Sequence, residues 1–273
     1  MSGFIEMMTA PVLISLVLVA MHGYLGTHVV KRGVIFVDIA LAQIAAFGVA
    51  IALILGAEVG DDMAYIYGLG ATLLGALLLS RTRSKNPKVP QEAYIGIVYV
   101  VFSAAMILLL TRLPHGSEEI NHLLVGSILW VQWAVVIKTA ILYGILGAIL
   151  MAIHRKLALV TDDPDAARRQ GMSLARWDFV FYLVVGLVVT SSVQVAGVLL
   201  VFTLLVVPSV MAIRLFTGGR QQFLWILLVG TLSVIVGSAF SYVLDLPTGA
   251  AIVCTFGLGL GLQMLLESLI RRP

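Results

Sequence analysis

The chain is a succession of long apolar runs separated by short polar breaks. The runs lie at about residues 10–30, 34–55, 63–80, 93–112, 132–154, 178–195, 197–215, 222–244 and 248–270. Each approaches the length of about 20 residues that a helix needs to cross a bilayer. After Asp178 no Asp, Glu, Lys or Arg appears until Arg214, which is too long a stretch for one span, so it is divided near residues 194–197. The pattern predicts an all-α, polytopic membrane protein with about nine transmembrane helices, or eight without that division. Between the fourth and fifth runs, His115 to His122 reads as a short polar turn. Leu123 to Val131 is apolar but too short to cross, and is expected at the outer surface or re-entrant, with Trp130 and Trp133 at headgroup depth.

Composition closes off the soluble alternatives. Of 273 residues 60% are hydrophobic and 11% charged, against about 45–50% and about 25% in soluble domains, and the mean hydropathy is +1.07. So many spans leave no room for a large extramembrane domain, so the chain reads as one transmembrane domain over residues 1–273. The first apolar run has no Lys or Arg ahead of it, the wrong flank for a cleavable signal, and is expected to be retained as a helix. The lone Cys254 excludes an internal disulfide and a cysteine metal framework, and is expected to be a small buried residue.

Charge orients the spans. With the N-terminus outside, 15 of the 17 basic residues fall in loops of one side, leaving Arg112 opposite and Lys138 within a span, where it snorkels or pairs with an acid. By the positive-inside rule that side is the cytoplasm, which also holds the C-terminus. The net charge of +3 then reflects cytoplasmic loops and calls for no nucleic acid.

The longest cytoplasmic loop, 155–177, carries a helix signature: Asp163 as cap, Pro164 at the first helical position, then Asp165, Ala167, Arg168 and Arg169, with Gly171 as the stop. A short helix over residues 164–170 is expected, either as a docking element for a soluble partner or as a stiffened surface loop. Ionisable groups inside spans are costly and usually functional. His22 lies in the middle of the first span, His28 near its end, and Asp38 opens the second, with Gln43 five residues on. A carboxylate and imidazoles suit a first-row divalent cation. The plainer readings are a packed, hydrogen-bonded His22 and an Asp38 paired with Lys31 or Arg32. Gly257, Gly259 and Gly261 suggest close helix packing, and Pro208 a break or kink. There is no phosphate loop, HExxH or GxSxG, so no enzyme activity is expected and any ATPase must be another chain.

Four stretches and the loop together resemble the permeases of ABC importers for zinc, manganese and iron. They are Val37-Asp38-Ile39-Ala40-Leu41-Ala42-Gln43-Ile44-Ala45-Ala46-Phe47-Gly48; Glu92-Ala93-Tyr94-Ile95-Gly96-Ile97; Val193-Gln194-Val195-Ala196-Gly197-Val198-Leu199-Leu200-Val201 continuing to Val207-Pro208; and Leu246-Pro247-Thr248-Gly249-Ala250-Ala251-Ile252-Val253. The resemblance implies a plasma-membrane dimer of two permease copies, an ABC ATPase subunit docked on the helix of residues 163–171, and an extracytoplasmic metal-binding protein. It implies a transported divalent metal and no bound cofactor. In the family an Asp and a His commonly stand four residues apart in the second span as metal ligands. Here those positions read Ile39 and Gln43, with Asp38 displaced by one, so the metal candidates are Asp38, Gln43 and His22. The alternatives are a secondary transporter, or an ABC permease for a non-metal substrate.

Overall fold

Backbone N–H and C=O groups inside hydrocarbon must be satisfied within the chain, and the apolar runs do this as helices. The computed structural model describes residues 2–57, 61–83, 89–112, 126 and 128–270. Nine α-helices are described: α1 (Ser2–Arg32), α2 (Val37–Ile54), α3 (Asp62–Ser80), α4 (Gln91–Leu110), α5 (Trp133–Asp162), α6 (Pro164–Arg169), α7 (Leu174–Leu215), α8 (Gly219–Leu244) and α9 (Thr248–Ile270), with a 3₁₀ turn at Ile128–Trp130. Among the described residues, eight of them, all but α6, are long and apolar enough to span a membrane. The fold is all-α and multi-pass, as expected.

The longest helix, α7, has 42 residues, about 63 Å at ~1.5 Å per residue and roughly twice the hydrocarbon thickness. It is not regular throughout, because Gly197 is non-helical at φ 75° and ψ 160°. The division expected near residues 194–197 therefore falls on Gly197, and taking α7 as two segments turns eight helices into nine. No such break falls at Pro208, which sits within the helical second segment. Helix α5 runs two turns further than its apolar run, so Arg155 and Lys156 ride on it and the polar loop begins only after Asp162. The turn at His115–His122 lies outside the described residues. So does most of the apolar segment after it; Trp130 and Trp133 are exposed.

The described residues form two compact units, one from 1–30, 125–145 and 195–273, the other from 31–124 and 146–194. In the first, small residues bring backbones together. A side chain on Gly26 would strike the Leu205 carbonyl and the Ser209 hydroxyl, and one on Gly237 would strike the backbone of Ile252. Ser209 Oγ donates to Leu205 O at 2.7 Å and to Gly23 O at 3.4 Å. The ends of α7 and α9 are joined by Gln263 Nε2 donating to Met211 O at 3.1 Å and by Arg214–Glu267 at 2.7 Å. Elsewhere on α9 the expectation fails. A side chain added at Gly257, Gly259 or Gly261 would meet nothing among the described residues, and Cys254 is exposed.

In the second unit α2 is the axis, with α3 and α4 packed on it. Gly48 lets α3 close in at Tyr67 and Ala71. Phe47 meets Phe102 edge-on at 5.3 Å, and Ala46 and Ala50 pack with Met106 and Leu110. Phe36 bonds Glu92 at the other end, so α2 and α4 run in the same direction. Thr72 and Thr190 share a buried hydrogen bond of 2.9 Å between α3 and α7.

Candidate functional site

The capped segment folds as its residues dictate. Asp163 Oδ1 accepts the Ala166 N–H at 2.8 Å and Pro164 takes the first helical position, where a missing N–H costs nothing. At the far end Gly171 turns left-handed at φ 76°, while its N–H and that of Met172 close on Arg168 O and Ala167 O at 2.9 and 3.0 Å. Ala167 is fully buried against Val160 and Leu174, so it faces inward and seats the helix. The side chains of Asp163, Asp165, Arg168 and Arg169 are all more than half exposed, with Arg168 bonded to Asp165 at 2.9 Å. The outward face is thus a compact set of fixed charges of both signs.

Below this helix lies a polar cluster that sequence reasoning missed. Asp178, in the second turn of α7, is 1% exposed. Its Oδ1 accepts Arg32 Nη1 and its Oδ2 accepts Arg83 Nη1, both at 2.8 Å. Arg32 Nε donates to Thr161 Oγ1 at 3.0 Å, and its guanidinium lies over the Phe181 ring, 4.3 Å from the centroid. Lys31 pairs with Asp162 at 3.1 Å. Gln91 Nε2 donates to the Tyr182 hydroxyl at 3.0 Å. The available signal was the position of Asp178 as the one acid at the head of a long uncharged run, since a carboxylate there needs a partner.

The metal candidates are placed as follows. Asp38 stands in the first turn of α2, 1% exposed, and its Oδ1 has no hydrogen-bond partner among the described residues. The plainer reading, a pair with Lys31 or Arg32, does not hold, because Lys31 is paired with Asp162 and Arg32 with Asp178. Gln43, also buried, leaves its Oε1 without a partner in the same way. Helix α2 has no side-chain cap of its own, and Glu92 of α4 supplies one by accepting the Phe36 N–H at 2.9 Å through Oε1, leaving Oε2 buried and without a partner among the described residues. Buried acceptors of this kind call for a cation or ordered water. Ile39 instead lines an apolar cleft of about 630 Å³ with Phe36, Ala93, Gly96 and Ile97. His22 is fully buried, its Nδ1–H donates to Leu18 O at 2.9 Å, and its ring lies 6.1 Å from Tyr143. It belongs to the first unit, and Asp38 and Gln43 to the second. No group of three or more His, Cys, Asp or Glu positioned to hold a metal is found among the described residues.

Comparison with known proteins gives a consistent match. Residues 4–266 match the ABC 3 transport family. The manganese transport system membrane protein MntB of Synechocystis sp. is 30% identical over 191 residues, 70% of this chain and 60% of that protein. The corresponding protein MntC of Listeria innocua is 30% identical over 232 residues, 85% of this chain and 80% of its own length. Among solved structures, PsaBC from Streptococcus pneumoniae in complex with Fab superposes with a TM-score of 0.79 at 20% identity, covering 96% of this chain and 94% of that one. At that identity the likeness speaks for the fold.

Proposed function

This chain belongs to the ABC 3 transport family, and from that premise we propose that it is the permease subunit of an ABC importer for a divalent metal, with manganese the preferred ion. The match across residues 4–266 carries the reading. Relatives about 30% identical to the chain over the aligned residues are manganese transport proteins. The donors support the same ion. Asp38 and Gln43 offer buried oxygen atoms, the ligands that suit Mn²⁺, and the imidazole that would favour Zn²⁺ is missing at the position of Gln43.

The chain hydrolyses nothing itself. An ATPase subunit docks on the outward charges of α6, namely Asp163, Asp165, Arg168 and Arg169, while Ala167 and Gly171 hold that helix in shape. A second permease copy completes the path across the plasma membrane, and an extracytoplasmic protein delivers the ion. The distribution of basic residues supports an N-terminus outside and α6 in the cytoplasm. A partly dehydrated cation entering along α2 regains oxygen ligands at Asp38 and Gln43 before release.

The test is uptake in proteoliposomes holding the permease, its ATPase and its binding protein. ATP-dependent Mn²⁺ entry is expected. Loss of outer-shell partners alone costs about 10–100-fold at metal sites, so Asp38→Asn is expected to lower entry by at least about tenfold with expression unchanged. Uptake that proceeds without the ATPase, driven by an ion gradient, would overturn the reading in favour of a secondary transporter.

A further inference from the structure

The residues between Thr161 and Asp178 form a loop with α6 at its tip, and both ends of that loop are tied to one side chain. Arg32 Nε holds Thr161 in the last turn of α5, and Arg32 Nη1 holds Asp178 near the start of α7. Asp178 spends its second oxygen on Arg83, from the stretch just after α3. Lys31, next to Arg32, doubles the tie through Asp162, the residue before the α6 cap. The joint is sealed: the side chains of Arg32 and Asp178 are 6% and 2% exposed, and Phe181, one turn beyond Asp178, covers the guanidinium. Between these ties the loop is packed shut by Val160, Ala167 and Leu174. A force on the outward charges of α6 therefore has no slack segment in which to dissipate. It reaches the end of α1 through Arg32 and the end of α3 through Arg83.

We propose that Arg32, Asp178 and Arg83 form a clamp that transmits movement of α6 to α1 and α3, and so sets how much transport each ATP hydrolysed produces. This rests on α6 being the ATPase dock, and it makes the three side chains positioning residues that touch neither nucleotide nor metal. The chemistry suits the task. A carboxylate bridging two guanidinium groups fixes direction as well as distance, because each N–H must point along an oxygen lone pair, and Arg supplies that planar geometry where Lys cannot.

The conservative variant Arg32→Lys keeps the charge and most of the buried stem but cannot hold Thr161 and Asp178 together. It is compared with the parent in proteoliposomes with ATPase and binding protein, measuring Mn²⁺ entry, ATP hydrolysis, ATPase affinity and melting temperature of the purified complex. The clamp predicts a fall in ions per ATP of about fivefold or more, the low end of measured site-to-site couplings, with affinity and melting temperature unchanged. Ions per ATP equal to the parent would overturn the proposal. So would a loss of ATPase affinity and melting temperature in proportion to transport, since that describes a purely structural support. If Arg32→Lys does not assemble, Arg83→Lys at the less buried arm, 28% exposed, is read by the same criteria. A parent complex that fails to bind the ATPase would instead sink the function proposed above, so the two failures are distinct.

Discussion

The two units hold themselves together by different physics. In the first, helices meet where a side chain is missing: Gly26 against the Leu205 carbonyl, Gly23 against Ile226, Gly230 against Val19 and Gly237 against the Ile252 backbone. Its ion pair, Arg214–Glu267, leaves the arginine 41% exposed. The second unit also uses glycine, at Gly48 and Gly75, but one end of it is fastened by the buried Arg32–Asp178–Arg83 cluster, and that end carries α6. Close packing of small residues resists deformation in every direction, because it rests on dispersion and shape. A charge cluster is stiff along its hydrogen bonds and costly to break, yet it can be rearranged as a whole. If a soluble partner works the protein through α6, as proposed above, the second kind of joint lies where the force would enter.

Breaking the cluster is expected to have the largest effect. Asp178→Ala leaves two guanidinium groups buried or half-buried without their anion, at a cost of about 3–5 kcal/mol, read as a lower melting temperature in detergent. The glycine joint comes next. Gly26→Ala forces a methyl group into the Leu205 carbonyl and should cost about 1–3 kcal/mol, whereas Gly257→Ala, whose new methyl meets only open space in this chain, should change stability by less than about 0.5 kcal/mol. Equal melting temperatures for the two glycine variants would remove the packing half of the comparison. Asp163→Ala is expected to act locally, with a smaller cost than Gly26→Ala. It deletes the bond to the Ala166 N–H, worth about 1 kcal/mol in a helix cap, and should weaken ATPase binding by about fivefold while the melting temperature holds.

Legibility in the sequence followed the range of the interaction. The helix at residues 164–169 could be read residue by residue, because cap, proline and terminal glycine act within a few positions of one another. The division of α7 could be read from length alone. The partners of Asp178 could not, since Arg32 lies 146 positions away and Arg83 lies 95, and Asp38 was accordingly matched to the nearest cations in sequence rather than in space. Cys254 and the α9 glycines misled for another reason. Lipid tails and protein interiors are equally apolar, so composition marks a position as non-aqueous without saying which of the two it faces. At the proposed metal path, position 43 was legible as a missing imidazole. The cap that Glu92 extends to α2 was hidden, because it joins two helices far apart in the chain.

Gly197 has a consequence for the membrane itself. A single unbroken helix would keep its polar ends at its two tips. Divided there, α7 acquires two new ends inside a run whose side chains carry no formal charge from Phe179 to Ile213. The last carbonyls of the first segment bring about half a negative elementary charge, and the first amides of the second about half a positive one. Gly126 admits its own backbone against Ala196 and Gly197, where any side chain would collide. The longest described helix of the protein thus carries, midway along it, an electric field made entirely of peptide groups.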